Sequence, residues 1–219
     1  MRARVGALAR PQETALVPCV PRHLRRLPDV QRRPRRDAAG LNRTGDRHAV
    51  GTEPIPRLRP AVRGLVVDHD DRLLLVRLVF GARAWWVLPG GGIDEGESEM
   101  DALRRELLEE VGLDAADIGA MVWRREHVFD MVDALTGVAW DGQRESVFLV
   151  RCVAFEPAPA MSAEQLRAEN LHEHRWWTLD EIESYPGDDF FAPRDLAVHA
   201  RRVLGGDPPT EAILIVQRD

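Results

Sequence analysis

GGIDEGESEMDALRRELLEEVGL, residues 91–113, reads as a glycine-rich loop running into a helix. The loop begins at Pro89, and the four glycines of PGGGIDEGE (89–97) free its backbone. Ser98 with Asp101 resembles a capping box and starts a helix that runs to Val111. Met100, Leu103, Leu107 and Val111 form an apolar stripe at helical spacing, and Gly112 is placed to end it. Glu106, Glu109 and Glu110 fall within about a 100° arc beside that stripe. Like charges so spaced repel by about 0.2–0.5 kcal/mol per pair in an isolated helix. A solvated acidic face usually mixes in Lys or Arg at i+4, and Lys is absent from the chain. Acids that follow a glycine loop, whose carbonyls can approach a cation, suit a hard, oxygen-seeking ion such as Mg²⁺ or Mn²⁺.

Upstream, AVRGLVVD (61–68) and RLLLVRLVF (72–80) read as strands joined by a turn at HDD (69–71). GARA (81–84) is a turn and WWVL (85–88) a short strand. Downstream, MVWRREHVF (121–129) reads as a strand, followed by a loop through Gly137 and Asp141-Gly142. ESVFLVRCVAF (145–155) is a long buried strand, and residues 156–171 a Pro/Ala-rich connection with a helical turn. HRWW (174–177) is a short strand and TLDEIES (178–184) a helix capped by Thr178. PRDLAVHARRVL (193–204) is an amphipathic helix and AILIV (212–216) a last strand. This irregular alternation predicts an α/β fold, a mixed sheet with helices packed on its faces.

Charge divides the chain. Residues 1–60 hold 14 Arg against 5 acids, while residues 61–219 hold 16 Arg against 31 acids. Residues 1–58 form an Arg/Pro-rich leader with little apolar periodicity, expected to be disordered or to precede the true start of translation. Residues 59–219 form the expected domain. An acidic body argues against nucleic acid as a generic partner, and it needs cations to handle phosphates. No apolar run approaches the ~20 residues of a membrane span, so no membrane partner is expected. Cys19 and Cys152 show neither metal-ligand spacing nor a disulfide framework, which points to the cytoplasm.

The residues of 91–113 also fit a named pattern. Gly91, Glu97, Arg105, Glu106, Glu109, Glu110 and Gly112, with aliphatic Leu107 and Leu113, fill every position of G-x5-E-x7-R-E-U-x-E-E-x-G-U. The chain therefore resembles the Nudix hydrolases over roughly residues 60–185, with WWVLPGGG leading in and HRWWTLDEI behind. The resemblance implies a Nudix-type α/β/α sandwich. It implies a divalent-metal-dependent hydrolase cleaving the pyrophosphate linkage of a nucleoside diphosphate joined to another moiety, such as a nucleoside triphosphate or a sugar nucleotide. By resemblance, Glu109 and Glu110 are the main metal ligands and Glu106 a further ligand or a base. Gly90 lends a carbonyl to the metal, Arg105 orients a glutamate, and Glu97 braces the loop against the helix. Glu145, at the head of the long strand, is a further candidate ligand, and Glu169 or Glu173 a candidate base.

Trp123 and Trp140 flank variable loops and are candidate base contacts. In the pairs Trp85/Trp86 and Trp176/Trp177, at least one member belongs in a core. His127 reads as structural, and His172 with His174 do not by themselves make a zinc site. MVWRREHVF lacks the proline of ADP-ribose hydrolases, and the single tyrosine, Tyr185, is not where dinucleoside polyphosphate hydrolases carry theirs. Two other readings stand beside hydrolysis: a non-catalytic nucleotide sensor, and an isomerase of the isopentenyl-diphosphate type. The substrate is a small nucleotide in the leading reading, and a homodimer is left open.

Overall fold

The structure is a computed structural model that describes residues 55–114, 117–133, 136–206 and 211–218. The leader expected over residues 1–58 thus lies outside the described residues as far as residue 54. Strands β1 (Arg59–Val67), β2 (Leu73–Phe80) and β3 (Arg83–Val87) come first. Helix α1 (Glu99–Val111) precedes β4 (Asp117–Val132) and β5 (Ala139–Arg151). Then follow α2 (Ala163–Ala168), β6 (Leu171–Trp177), α3 (Leu179–Glu183), β7 (Phe190–Ala192), α4 (Leu196–Leu204) and β8 (Ile213–Arg218).

Among the described residues the strands form one mixed eight-stranded sheet in the order β7-β3-β2-β1-β5-β4-β8, with β6 paired to β2. β1 runs parallel to β5, and β4 forms a long antiparallel ribbon with β5. Side chains alternate across the sheet, so each strand feeds two cores. On one face Val62, Val66, Leu74 and Phe148 pack against Leu103, Leu107 and Val111 of α1 and Leu166 of α2. On the other, Leu65, Leu75, Trp86, Trp123 and Val147 pack against Ile182 of α3 and Leu196, Ala200 and Val203 of α4. The α/β/α sandwich expected from the sequence is therefore present.

Several boundaries differ from the sequence reading. β5 begins at Ala139, taking in Asp141 and Gly142, and ends at Arg151 rather than Phe155. Gly142 has φ 138° and lies where the β4–β5 register slips, so it marks a bulge in a ribbon and not a loop. Met100 is 36% exposed and stands outside the buried stripe. α4 starts at Leu196, beyond Pro193. β7, three residues parallel to β3, was too short to show a period.

Candidate active site

The loop between β3 and α1 lies along the edge of β1. Val62 N–H donates to Gly91 O and Gly64 N–H to Pro89 O, each at 2.9 Å. This close approach requires glycine at residue 90, where φ is 130° and a Cβ would collide with the Val62 carbonyl. The loop passes into α1 at Ser98, whose Oγ accepts from Asp101 N–H at 3.1 Å. Gly112, at φ 74°, ends the helix in the left-handed conformation. It also lies against the Ala158 carbonyl, with no room for a Cβ, so it does more than terminate the helix.

Arg105 ties the loop to the helix. Its Nε and Nη2 donate to the two oxygens of Glu97 at 3.0 and 2.9 Å, a bidentate pair. Nη1 donates to Glu106 Oε1 at 2.7 Å and Glu109 Oε2 at 3.1 Å, and Nη2 reaches Gly92 O at 3.0 Å. The Arg105 hydrogen bonds hold the Glu97 carboxyl below the usual carboxylate range. Glu106 is buried against Gly91, where an added Cβ would come within 2.6 Å of its Oε1. Burial raises the Glu106 pKa against the pull of Arg105. Glu110 is buried as well; its Oε2 accepts from Gly90 N–H at 2.7 Å, and burial pushes its carboxyl up to about 8. One oxygen each of Glu106, Glu109 and Glu110 is thus engaged, while the other accepts no hydrogen bond from the described residues.

Glu145 of β5 is joined to the loop through Arg63. Arg63 of β1 donates through Nε to Glu145 Oε1 at 3.2 Å, and Arg125 of β4 donates through Nη1 to Oε2 at 2.7 Å. Burial works to raise the Glu145 pKa, but the two guanidiniums prevail and hold it below the usual range. Arg63 Nη1 also donates to Leu88 O at 3.2 Å and to Gly90 O. Gly90 therefore offers its N–H to a helix acid and its carbonyl to a strand arginine. Arg125 further donates to Gln217 of β8, from Nη2 at 2.7 Å.

The remaining candidates separate. Trp123 is fully buried, in edge contact with His199 at 5.9 Å between ring centroids. It cannot stack on a nucleobase; its alternation phase turns it into the core, and the base-contact expectation is corrected for this residue. Trp140 is half-buried and lines an open cleft with Asp130, Met131 and Asp141, the Arg57 guanidinium lying 4.3 Å from its ring centre. Glu169, at the end of α2, faces the helix acids: burial raises its pKa first, and Glu106 and Glu109 raise it further. Glu173 is exposed on β6, paired in register with Arg77. His174 shares a 2.8 Å hydrogen bond with Glu110 O, binding the last turn of α1 to β6. Trp86 and Trp177 are the buried members of their pairs and meet edge to face at 5.0 Å.

The NUDIX domain family pattern matches residues 57–198 of the chain. The chain belongs to the Nudix family. Its curated relatives include an RNA pyrophosphohydrolase of Sphingopyxis alaskensis, 32% identical over 130 residues, covering 57% of this chain and 80% of that protein. An RNA pyrophosphohydrolase of Helicobacter pylori strain G27 is 44% identical over 103 residues, covering 43% of this chain and 64% of that one. Among solved structures, a Nudix hydrolase from Nitrosomonas europaea superimposes with a TM-score of 0.49 at 20% identity, covering 69% of this chain and 93% of that one. The family match, with relatives that are pyrophosphohydrolases, makes the protein a Nudix hydrolase. No helix among its described residues is long and apolar enough to cross a membrane.

The donor set of this Nudix site suits a hard divalent ion: carboxylate oxygens and backbone carbonyls, with no thiolate among them. Among the described residues, no three of the acidic, histidine or cysteine side chains converge closely enough to enclose a cation as they stand. Arg105 holds one oxygen each of Glu106 and Glu109, and Arg63 holds Glu145 and the Gly90 carbonyl. Reading the sequence missed Arg63 and Arg125. The signal was an arginine inside an otherwise apolar strand, which must find a partner if that strand is central.

Proposed function

We propose that this Nudix hydrolase cleaves a phosphoanhydride bond in a nucleoside polyphosphate or nucleoside diphosphate derivative, with Mg²⁺ or Mn²⁺ held by Glu106, Glu109 and Glu110. Gly90 through its carbonyl and Glu145 through its carboxylate complete the ligand candidates. The observation that carries the reading is the single unengaged oxygen on each of three glutamates of one helix face, beside a glycine loop. When bound, divalent ions neutralise phosphate charge, lower the pKa of water and stabilise the leaving phosphate. The chain's own residues then have distinct tasks. Arg105 aims Glu106 and Glu109, and Glu97 locks Arg105 to the loop. Glu169, already raised in pKa beside those acids, is the group we favour for taking the proton of the attacking water. Trp140 remains the candidate contact for a base.

The relatives are RNA pyrophosphohydrolases, which favours a phosphoanhydride carried on RNA within this substrate class. The acidic body weighs against grip on a long nucleic acid, so recognition would centre on the terminal nucleotide. The test is a panel of nucleoside triphosphates, sugar nucleotides and 5′-triphosphorylated RNA, with Mg²⁺ or Mn²⁺, for the wild type and Glu109→Gln. Hydrolysis by the wild type and its loss in the variant are expected. A ligand that raises the melting temperature with no turnover on any substrate favours the sensor reading; rearranged products of unchanged mass favour the isomerase.

A further inference from the structure

Arg63 lies in the middle of β1, in a stretch otherwise apolar from Ala61 to Val67, with its side chain 11% exposed. The hydrogen bonds of its guanidinium go to Glu145 Oε1, Leu88 O and Gly90 O. Two of those three acceptors are groups we assign as divalent-ion ligands. Its charge also acts on Glu106 and Glu110, lowering the proton affinity of both.

Buried carboxylates without a counter-charge are costly, and this site gathers Glu106, Glu110 and Glu145, each about 95% buried. Arg63 supplies part of that counter-charge. It would also compete with a second cation for the Gly90 carbonyl, since two positive charges on one oxygen repel at short range in surroundings of low dielectric. Were Arg63 to leave the Gly90 carbonyl, Glu145 would keep its 2.7 Å bond to Arg125.

We propose that Arg63 is the resident cation of the metal site: it occupies the Gly90 carbonyl and Glu145 in the metal-free protein and leaves the Gly90 carbonyl when a divalent ion binds. This rests on the metal reading of the α1 glutamates. It makes Arg63 a competitor of the ion for the Gly90 carbonyl.

The full-length chain tests this directly. The Arg63 Nε–H resonance is identified by its loss in the spectrum of Arg63→Gln, or of Arg63→Lys should the first variant fail to fold. It is then followed as the chelator-treated wild type is titrated with Mg²⁺, with Mn²⁺ affinity measured by calorimetry in parallel. The expected result is a shifted resonance whose hydrogen exchange quickens by about tenfold or more on saturation. Arg63→Gln is expected to bind Mn²⁺ about tenfold more tightly, since a competing charge has gone. An Arg63 resonance unchanged at saturating Mg²⁺, or equal or weaker Mn²⁺ binding by Arg63→Gln, overturns the inference and leaves the metal reading intact. No binding of either ion by wild type or variant overturns both.

Discussion

Glu110 Oε2 accepts the Gly90 amide at 2.7 Å, across 20 residues of chain. The bond joins the last turn of α1 to the loop that precedes the helix, and the Gly90 carbonyl continues the link to Arg63. Acid, peptide group and guanidinium form one chain of contacts through a single glycine.

That glycine is the first place to test. Gly90→Ala must accept φ 130° and a collision with the Val62 carbonyl, both backbone features that cannot rotate away. A loss of about 2 kcal/mol or more in urea unfolding is expected, together with weaker Mn²⁺ binding. Gly96, also at positive φ but with open space around it, is the control: Gly96→Ala should cost less. Equal losses at the two positions would show that the approach to β1 is unimportant.

The Glu110 carboxyl gives a pH dependence with a definite sign. Burial raises its folded pKa to about 8 from an ordinary value of 4.5, so the folded state binds this proton more tightly than the unfolded chain. Its contribution to stability is therefore complete below the ordinary carboxylate range and is lost as pH rises through about 8. Melting temperatures in chelator between about pH 4.5 and 9 should fall more steeply for wild type than for Glu110→Gln. Parallel profiles would mean that Glu110 is ionised throughout.

Arg105→Lys keeps the charge and removes the fork. Three ammonium protons cannot serve both Glu97 oxygens, Glu106, Glu109 and Gly92 O together. We expect kcat on the best substrate of the panel to fall by about tenfold or more, with substrate KM changing less, because the acids lose their aim. An unaltered kcat would remove Arg105 from the positioning of Glu106 and Glu109.

The two tryptophans should respond in opposite ways. Trp123→Ala empties a fully buried site and is expected to cost about 3–5 kcal/mol of stability. Trp140→Ala lies at an open cleft and should shift stability by less than about 1 kcal/mol while raising nucleotide KM. An unchanged KM for Trp140→Ala excludes that cleft as the base site.

Much of this molecule is written in local sequence. The helix from Ser98 to Gly112 is fixed by its cap, its stripe and its terminal glycine, all within a few residues of the groups they satisfy. The three glutamates share a face for the same reason, since helical geometry places residues three and four apart together whatever surrounds them. The β1–β2 hairpin is equally local, with the Asp68 carboxylate accepting the Asp70 and Arg72 amides at 2.9 Å.

Strand side chains follow another rule. Alternation gives two faces but does not say which faces which core, so Trp123 could be read toward solvent until β4 was laid between β5 and β8. Arg63 meets Glu145 82 residues away, and Arg125 meets Gln217 92 residues away. Those contacts exist only because parallel and antiparallel registers bring β1, β5, β4 and β8 side by side. Sequence alone determined the acids and the frame that displays them. Tertiary structure decided which arginines neutralise them, because a buried charge takes its partner from whatever strand the sheet sets beside it.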